Sequence, residues 1–232
     1  MHKKGLYERY FKKILDIICS LGFILCFWWL YVVVAILVKR KLGSPVIFKQ
    51  QRPGLNGKIF TMYKFRSMTD AKDKDGNLLS DVERLPRFGE LLRATSLDEI
   101  PEFINVLKGD MSLIGPRPQL VRDMVFMTEE QLKRHNVRPG ITGLAQVSGR
   151  NAISWEDKLN YDLVYIQNIS FLQDMKIAIE TIKKAFIKQE GITEEGMATA
   201  EDFGDYLLHT NKISLEKYNE LQNIALKILK NS

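Results

Sequence analysis

Apolar residues are spread very unevenly along this chain. From Ile14 to Val38 they run almost unbroken, with Asp16 and Ser20 as the strongly polar interruptions. Within that run, Ile17 to Val38 supplies roughly 22 residues, enough to cross about 30 Å of hydrocarbon as a helix. No small-residue cleavage site follows; the run ends in Lys39-Arg40-Lys41, which argues against a removable leader. Lys3, Lys4, Arg9, Lys12 and Lys13 precede it, so both flanks are basic and the charge asymmetry that orients a spanning helix is weak. Two solutions remain: a re-entrant helical hairpin with both ends in the cytoplasm, or a spanning helix whose short tail is translocated despite its charge. Asp16 and Arg9 stand where they would pair at the interface, the less costly depth for a carboxylate.

Beyond the run the period changes. Val46 to Gln50 and Ile59 to Phe65 are rich in β-formers, and Pro53-Gly54-Leu55-Asn56-Gly57 between them supplies turn chemistry, so residues 46–68 read as a hairpin. Asp70 to Asp81 reads as a solvent loop. It lacks the full oxygen-ligand pattern and closing glutamate of a calcium loop. Helical spacing then predicts helices over 88–93, 99–107, 121–135, 155–166, 171–189 and 213–230, with Ser154 as an N-cap. Arg138 to Leu144 and Gly149-Arg150-Asn151 read as turn-rich loops. The fold class is α+β, mostly helical. A membrane-associated segment (1–42) precedes a catalytic domain (43–204) and a C-terminal helical extension (205–232). The amphipathic stretch from Ser214 to Leu229 suits a homodimer contact, a membrane contact or core packing.

A length of 232 residues and a net charge of +6 suit one moderate domain that meets anionic lipid or phosphate. The basic residues are scattered over loops and form no recognised binding module, which argues against nucleic acid. Cys19 and Cys26 both lie in the apolar run, roughly 10 Å of helical rise apart, too far for a disulfide.

Candidate chemistry gathers in Ser96-Leu97-Asp98-Glu99-Ile100-Pro101 and in Gly115-Pro116-Arg117-Pro118. Ser96-x-x-Glu99 spells a capping box, and acidic residues suit a helix's first turn. The same two carboxylates, held rigidly at a helix start, would also place a nucleophile against a phosphate with a divalent cation beside it. Lys64, Arg66, Arg84, Arg87, Arg93, Arg117, Arg138 and Arg150 fall in or beside turn-rich segments. Arg117, Arg138 and Arg150 adjoin glycine or proline, in loops whose backbone is fixed and can approach a ligand. No Walker A or Gly-x-Gly-x-x-Gly spelling occurs, and Ser112 and Ser148 lack a nucleophile-elbow setting. His135 reads as a helix-end residue.

Taken with Arg52-Pro53-Gly54-Leu55-Asn56, Tyr63-Lys64-Phe65-Arg66-Ser67-Met68, Asn105-Val106-Leu107-Lys108-Gly109-Asp110-Met111-Ser112 and Arg138-Pro139-Gly140-Ile141-Thr142-Gly143-Leu144, these motifs resemble the monotopic phosphoglycosyl transferases of bacterial glycoconjugate assembly. The likeness covers roughly residues 6–203 and is nearest to the small members that serve protein N-glycosylation. It implies a re-entrant membrane helix, a small cytoplasmic catalytic domain with a short hairpin, interfacial amphipathic helices, and residence at the bacterial inner membrane. It also implies that Asp98 attacks a UDP-sugar, releases UMP and passes the sugar phosphate to a polyprenyl phosphate. The sugar expected from the likeness is N-acetylated and deoxygenated. Glu99 would help to bind Mg²⁺ or to deprotonate the acceptor, with Asp98 and Glu99 as the metal ligands. Lys64, Arg66, Arg93, Pro116, Arg117, Pro118, Arg138 and Arg150 are the implied substrate contacts. In one respect the chain departs from the family. The membrane helix usually breaks at a Ser-Pro pair, and here the aligned region reads Cys26-Phe27-Trp28-Trp29. Two readings of other classes stand beside this one: a nucleotide-sugar hydrolase using water, and a membrane-anchored scaffold.

Overall fold

A computed structural model describes residues 5–149, 153–187 and 201–232. A π-helical turn, Tyr7–Phe11, leads into helix α1, Lys12–Leu42. The span Tyr7–Leu42 is long and apolar enough to cross a membrane, with a mean hydropathy of 2.6 over its most apolar 18 residues. Ile18, Leu21, Leu25, Trp28, Trp29 and Ile36 are exposed on it, as are Cys19 and Cys26. The opposite stripe, Lys12, Asp16, Ser20, Val34, Val38 and Leu42, is buried. Asp16 does not pair with Arg9. It accepts hydrogen bonds from Ser112 Oγ at 2.7 Å and from the Leu113 amide at 3.1 Å, while Lys12 pairs with Asp174.

Midway, Phe27 leaves helical geometry (φ −116°, ψ 19°), so α1 is two helical halves joined at a kink. The kink forms without the proline that usually causes one. Contacts on either side of it account for the bend. Upstream, Asp16 is tied to residues 112–113. Downstream, Tyr31 donates to the Ile100 carbonyl at 2.8 Å. Close to the kink, Phe23 stacks on Phe103 at 4.1 Å and meets Phe27 at 4.9 Å. Both halves therefore rest on one folded domain.

In that domain, strands β1 (Ile47–Pro53) and β2 (Ile59–Phe65) form the antiparallel hairpin the sequence predicts, with Ile47 opposite Phe65 and Pro53 opposite Ile59. Asn56 (φ 55°) and Gly57 (φ 73°) make the left-handed turn. Next come α2 (Asp81–Arg84), α3 (Arg87–Ala94), a 3₁₀ turn (Leu97–Glu99) and α4 (Glu102–Lys108). β3 (Ser112–Ile114) follows, then α5 (Val121–Met124) and α6 (Glu129–Leu132). The single helix expected over 121–135 is thus two short helices and a 3₁₀ turn, Lys133–Asn136. Thr128 and Gln131 form a capping box that restarts the chain, and Phe126 and Met127 turn into the core between the pieces.

β4 (Gly140–Thr142) pairs in parallel with β3 where a loop was expected. A Cβ on Gly140 would lie 2.1 Å from the Gly115 amide nitrogen, so the two segments approach more closely than any side chain permits. The chain finishes with α7 (Leu144–Ser148), α8 (Trp155–Gln167), α9 (Phe171–Ile187), α10 (Phe203–His209) and α11 (Leu215–Lys230). The last helices pack Phe203, Tyr218 and Leu221 against Phe126, Trp155 and Leu159, which is core packing.

Two buried polar groups hold the pieces in register. Asn105 on α4 donates to the Thr61 carbonyl at 2.7 Å and accepts from the Tyr63 amide at 3.0 Å, fixing α4 to β2. Arg134 donates to Asp162 Oδ2 through Nε (2.9 Å) and Nη2 (2.6 Å), and Nη2 also donates to the Arg117 carbonyl at 2.6 Å. Asp162→Ala should strip Arg134 of its counter-charge and cost about 3–5 kcal/mol. The double exchange Arg134→Met with Asp162→Leu should recover most of that loss, because no buried charge is left alone. Denaturant titration followed by circular dichroism in detergent checks both variants. A small loss in Asp162→Ala with a larger one in the double variant would show that the contact with the Arg117 carbonyl, and not the ion pair, carries the stability.

Candidate active site

Between α3 and α4 the chain turns through Ser96 in the left-handed region (φ 54°), passes the 3₁₀ turn Leu97–Glu99, and starts α4 after Pro101. Ser96 makes no side-chain cap, so the capping box spelled by Ser96 and Glu99 does not form. Glu99 turns instead toward two cations. Its Oε1 accepts from Lys64 Nζ of β2 at 2.8 Å and from Arg117 Nη2, which follows β3. Lys64 Nζ also lies 3.2 Å from Glu102 Oε1 on the first turn of α4. Asp98, beside them, is buried. Among the described residues it has no hydrogen-bond or ion-pair partner.

The electrostatics separate the three carboxyls. Burial, and then the Glu99 charge, push Asp98 up to about 6. Burial also acts upward on Glu99, but the Arg117 and Lys64 charges outweigh it and hold Glu99 well below the usual carboxylate range. Glu102, buried and close to Glu99, is pushed up to about 7 against the pull of Lys64. Glu99 in turn raises Arg117 above its ordinary value. The fixed anion is Glu99, and Asp98 is the carboxyl whose charge is least compensated.

The predicted contacts fall into distinct places. Lys64, Arg117 and Pro118 line one cleft with Arg52, Met62 and Glu102. Pro116 lies against β4, its carbonyl accepting from the Gly140 amide at 2.9 Å. Arg93 donates through Nε to Ser67 Oγ at 3.0 Å, and its charge acts on Asp98. Arg138 is half-buried in the segment beside Gly115 and makes no side-chain hydrogen bond or ion pair among the described residues. Arg66 is committed elsewhere: it donates to the Ser44 carbonyl at 2.8 Å and pairs with Asp70, securing the exit from α1. Arg150 lies outside the described residues.

Glu102, Arg52 and Arg134 are the contributors that sequence reasoning passed over. Arg52 adjoins Pro53, so the signal that singled out Arg117, Arg138 and Arg150 was present there too. Glu102 carried only the signal of an acid at a helix start. Among the described residues no cluster of three or more His, Cys, Asp or Glu side chains forms a metal site. Asp98 and Glu99 offer two carboxylates, a donor set that suits Mg²⁺ when phosphate oxygens and water complete the shell.

Comparison with known proteins places this geometry. The model of the bacterial sugar transferase family matches residues 7–188. The uncharacterized sugar transferase EpsL of Bacillus subtilis (strain 168) is 51% identical over 192 residues, covering 83% of this chain and 95% of the relative. A UDP-glucose:undecaprenyl-phosphate glucose-1-phosphate transferase of Klebsiella pneumoniae is 39% identical over 189 residues, covering 77% of this chain and 41% of the relative. The galactosyl transferase CpsE of Streptococcus agalactiae serotype III (strain NEM316) is 44% identical over 158 residues, covering 62% of this chain and 35% of the relative. The chain therefore spans nearly the whole of EpsL but about two fifths or less of the other two. The matched span contains Asp98, Glu99, Lys64 and Arg117, and the chain belongs to the bacterial sugar transferase family.

Proposed function

We propose that this protein transfers a sugar-1-phosphate from a UDP-sugar to undecaprenyl phosphate or a similar polyprenyl phosphate, as the first membrane step of polysaccharide or glycoprotein assembly. The observation that carries this reading is Asp98: a buried carboxyl without a hydrogen-bond or ion-pair partner among the described residues, beside a carboxylate fixed by Arg117 and Lys64. The Klebsiella relative's name specifies this class of reaction. Glucose and galactose appear in the names of two relatives of comparable identity, so sugar choice does not follow from family membership. The donor panel therefore includes both, together with the N-acetylated, deoxygenated sugars that the sequence resemblance suggested.

The reaction runs in two displacements. An Asp98 oxygen attacks the β-phosphorus of the donor; the bond from that phosphorus to the bridging oxygen breaks, and UMP leaves. The sugar phosphate is then held as an acyl phosphate on Asp98. An oxygen of the lipid phosphate attacks the same phosphorus, Asp98 departs as carboxylate, and the polyprenyl-diphosphate-sugar forms. Attack by an anion on an anion needs fixed positive charge, which Lys64, Arg93 and Arg117 supply around the carboxyl. Mg²⁺, held by Asp98 and Glu99 with the donor's phosphate oxygens, would add Lewis-acid charge at the same place.

In the membrane reading, α1 enters and leaves through the cytoplasmic face. Both of its halves are tied to the same domain, through Asp16 and through Tyr31, and it bends at Phe27. Phe171, Leu172, Met175, Ile179 and Ile182 expose an apolar stripe on α9 that suits the lipid interface.

Three measurements test this. With purified enzyme, Mg²⁺, undecaprenyl phosphate and the donor panel, UMP release should depend on lipid and fall on the order of 10³-fold or more in Asp98→Asn. Lipid-independent release would indicate hydrolysis, and full activity in the variant would remove Asp98 as nucleophile. Single-turnover UMP release should rise with pH through about 6 and then level, because Asp98 is protonated below its raised pKa and attacks only when ionised. A flat profile from pH 5 to 8 would contradict that assignment. For topology, Gly5→Cys in a Cys19→Ser, Cys26→Ser background should resist an impermeant maleimide on intact cells and react after permeabilisation. Labelling from outside would require a spanning helix.

A further inference from the structure

Three cations line the cleft beside Glu102: Lys64, Arg117 and Arg52. The first two are already spoken for by carboxylates, Lys64 by Glu99 and Glu102, Arg117 by Glu99. Arg52, placed on β1 opposite Phe60, differs. Its Nη2 donates at 2.7 Å to Gln50 Oε1, a neutral acceptor, and its Nε is buried without a partner. Among the described residues it makes no ion pair.

The carboxylates nearest in its field are engaged elsewhere. Asp123 accepts from the Leu120 amide and the Phe203 amide, each at 3.0 Å. Asp202 pairs with Arg122, and Glu102 with Lys64. Burial, and then the like charge of Arg117, push Arg52 down to about 10. A guanidinium carries five N–H donors, and withdrawing its charge from water is costly unless an anion compensates. A buried guanidinium that faces this cleft with no anion of its own therefore favours an anion whose oxygens match its fork, as those of phosphate do.

We propose that Arg52 is a phosphate-binding residue of this cleft. The proposal rests on the transferase reading, which supplies two phosphate-bearing candidates, the diphosphate of the nucleotide-sugar and the monophosphate of the lipid acceptor. Arg52 and the committed pair, Lys64 and Arg117, divide the work: the pair fixes Glu99, and Arg52 meets the incoming phosphate.

Kinetics on full-length enzyme in detergent distinguish the sources. In Arg52→Gln, the KM for either the UDP-sugar or the polyprenyl phosphate should rise about tenfold or more, with the other within twofold. Arg52→Lys keeps the charge but loses the fork, and it should fall between Arg52→Gln and wild type. A rise confined to the donor assigns the site to the nucleotide diphosphate, and one confined to the lipid assigns it to the acceptor. Calorimetric titration with inorganic pyrophosphate is a readout that needs no turnover. Wild type should bind it, and Arg52→Gln should bind at least tenfold more weakly at an unchanged melting temperature. If the Gln variant unfolds, the same comparison is made on Arg52→Lys. Both KM values and pyrophosphate binding unchanged from wild type would overturn the proposal. Wild type that binds pyrophosphate through Arg52 but releases no UMP would overturn the transferase reading and leave the phosphate site standing.

Discussion

Glu99 is held from two sides, by Lys64 on the hairpin and by Arg117 on the loop after β3, and the rest of the site depends on that grip. Two adjacent carboxyls in a buried turn cannot both ionise freely, because each charge raises the other's pKa. The cations settle the contest in favour of Glu99. Asp98 is left with the larger share of the repulsion and, among the described residues, with no partner of its own. For the attacking and departing role proposed for Asp98, that is a useful condition: among the described residues no cation pairs with it, and it is not strongly stabilised in its ground state. The remaining architecture brings the two cations to one carboxylate. Asn105 sets β2, and so Lys64, against α4. Arg134, locked by Asp162, holds the backbone of Arg117.

The apolar helix belongs to the same construction. Lys12, Asp16 and Ser20 recur every four residues and so share one face of α1. In an isolated lipid-facing helix each would be a costly intrusion. Here Lys12 and Asp16 face the domain and are satisfied there, by Asp174 and by Ser112 with Leu113. β3 ends only three residues before Arg117. A polar group in the membrane segment is thus wired through one short strand to the loop that grips Glu99. Anchoring and site geometry share the same covalent and hydrogen-bonded path.

The sequence announced the hairpin, because β-formers flank a turn whose Asn and Gly tolerate left-handed backbone. It also singled out the Gly115-Pro116-Arg117-Pro118 segment, since an arginine set among glycine and proline is hard to explain by local structure alone. It was silent where the deciding partner is remote. Ser96-x-x-Glu99 reads as a cap until Lys64 and Arg117, 35 and 18 residues away from Glu99, compete for the carboxylate and win. Arg9 looked like the partner of Asp16 because it is near in sequence, whereas Ser112 lies 96 positions away. The break at Phe27 carried no proline signal, because its causes are tertiary: Ser112 and Phe103 hold the half before it, and Ile100 the half after it. The short parallel pairing of β3 with β4 escaped for a similar reason, as three-residue strands carry too little pattern to be seen.

What motif reading cannot supply is the distinction between a committed charge and a free one. Lys64, Arg52, Arg66 and Arg117 are all basic residues in or beside the hairpin and its neighbouring loops, and spacing alone ranks them by their glycine and proline neighbours. Counting partners ranks them differently. Arg66 is spent on Asp70 and the Ser44 carbonyl, and Lys64 and Arg117 on Glu99. A cation that shares a carboxylate adds less net attraction for an incoming phosphate than one without an anion, although two cations on the single Glu99 carboxylate still leave positive charge there. Among the described residues, Arg52 and Arg138 pair with no anion and retain their full charge. The proposed transfer of a phosphate group uses both kinds: fixed pairs that hold the surroundings of Asp98 steady, and a guanidinium such as Arg52, unpaired with any anion among the described residues, whose desolvation an incoming phosphate would repay.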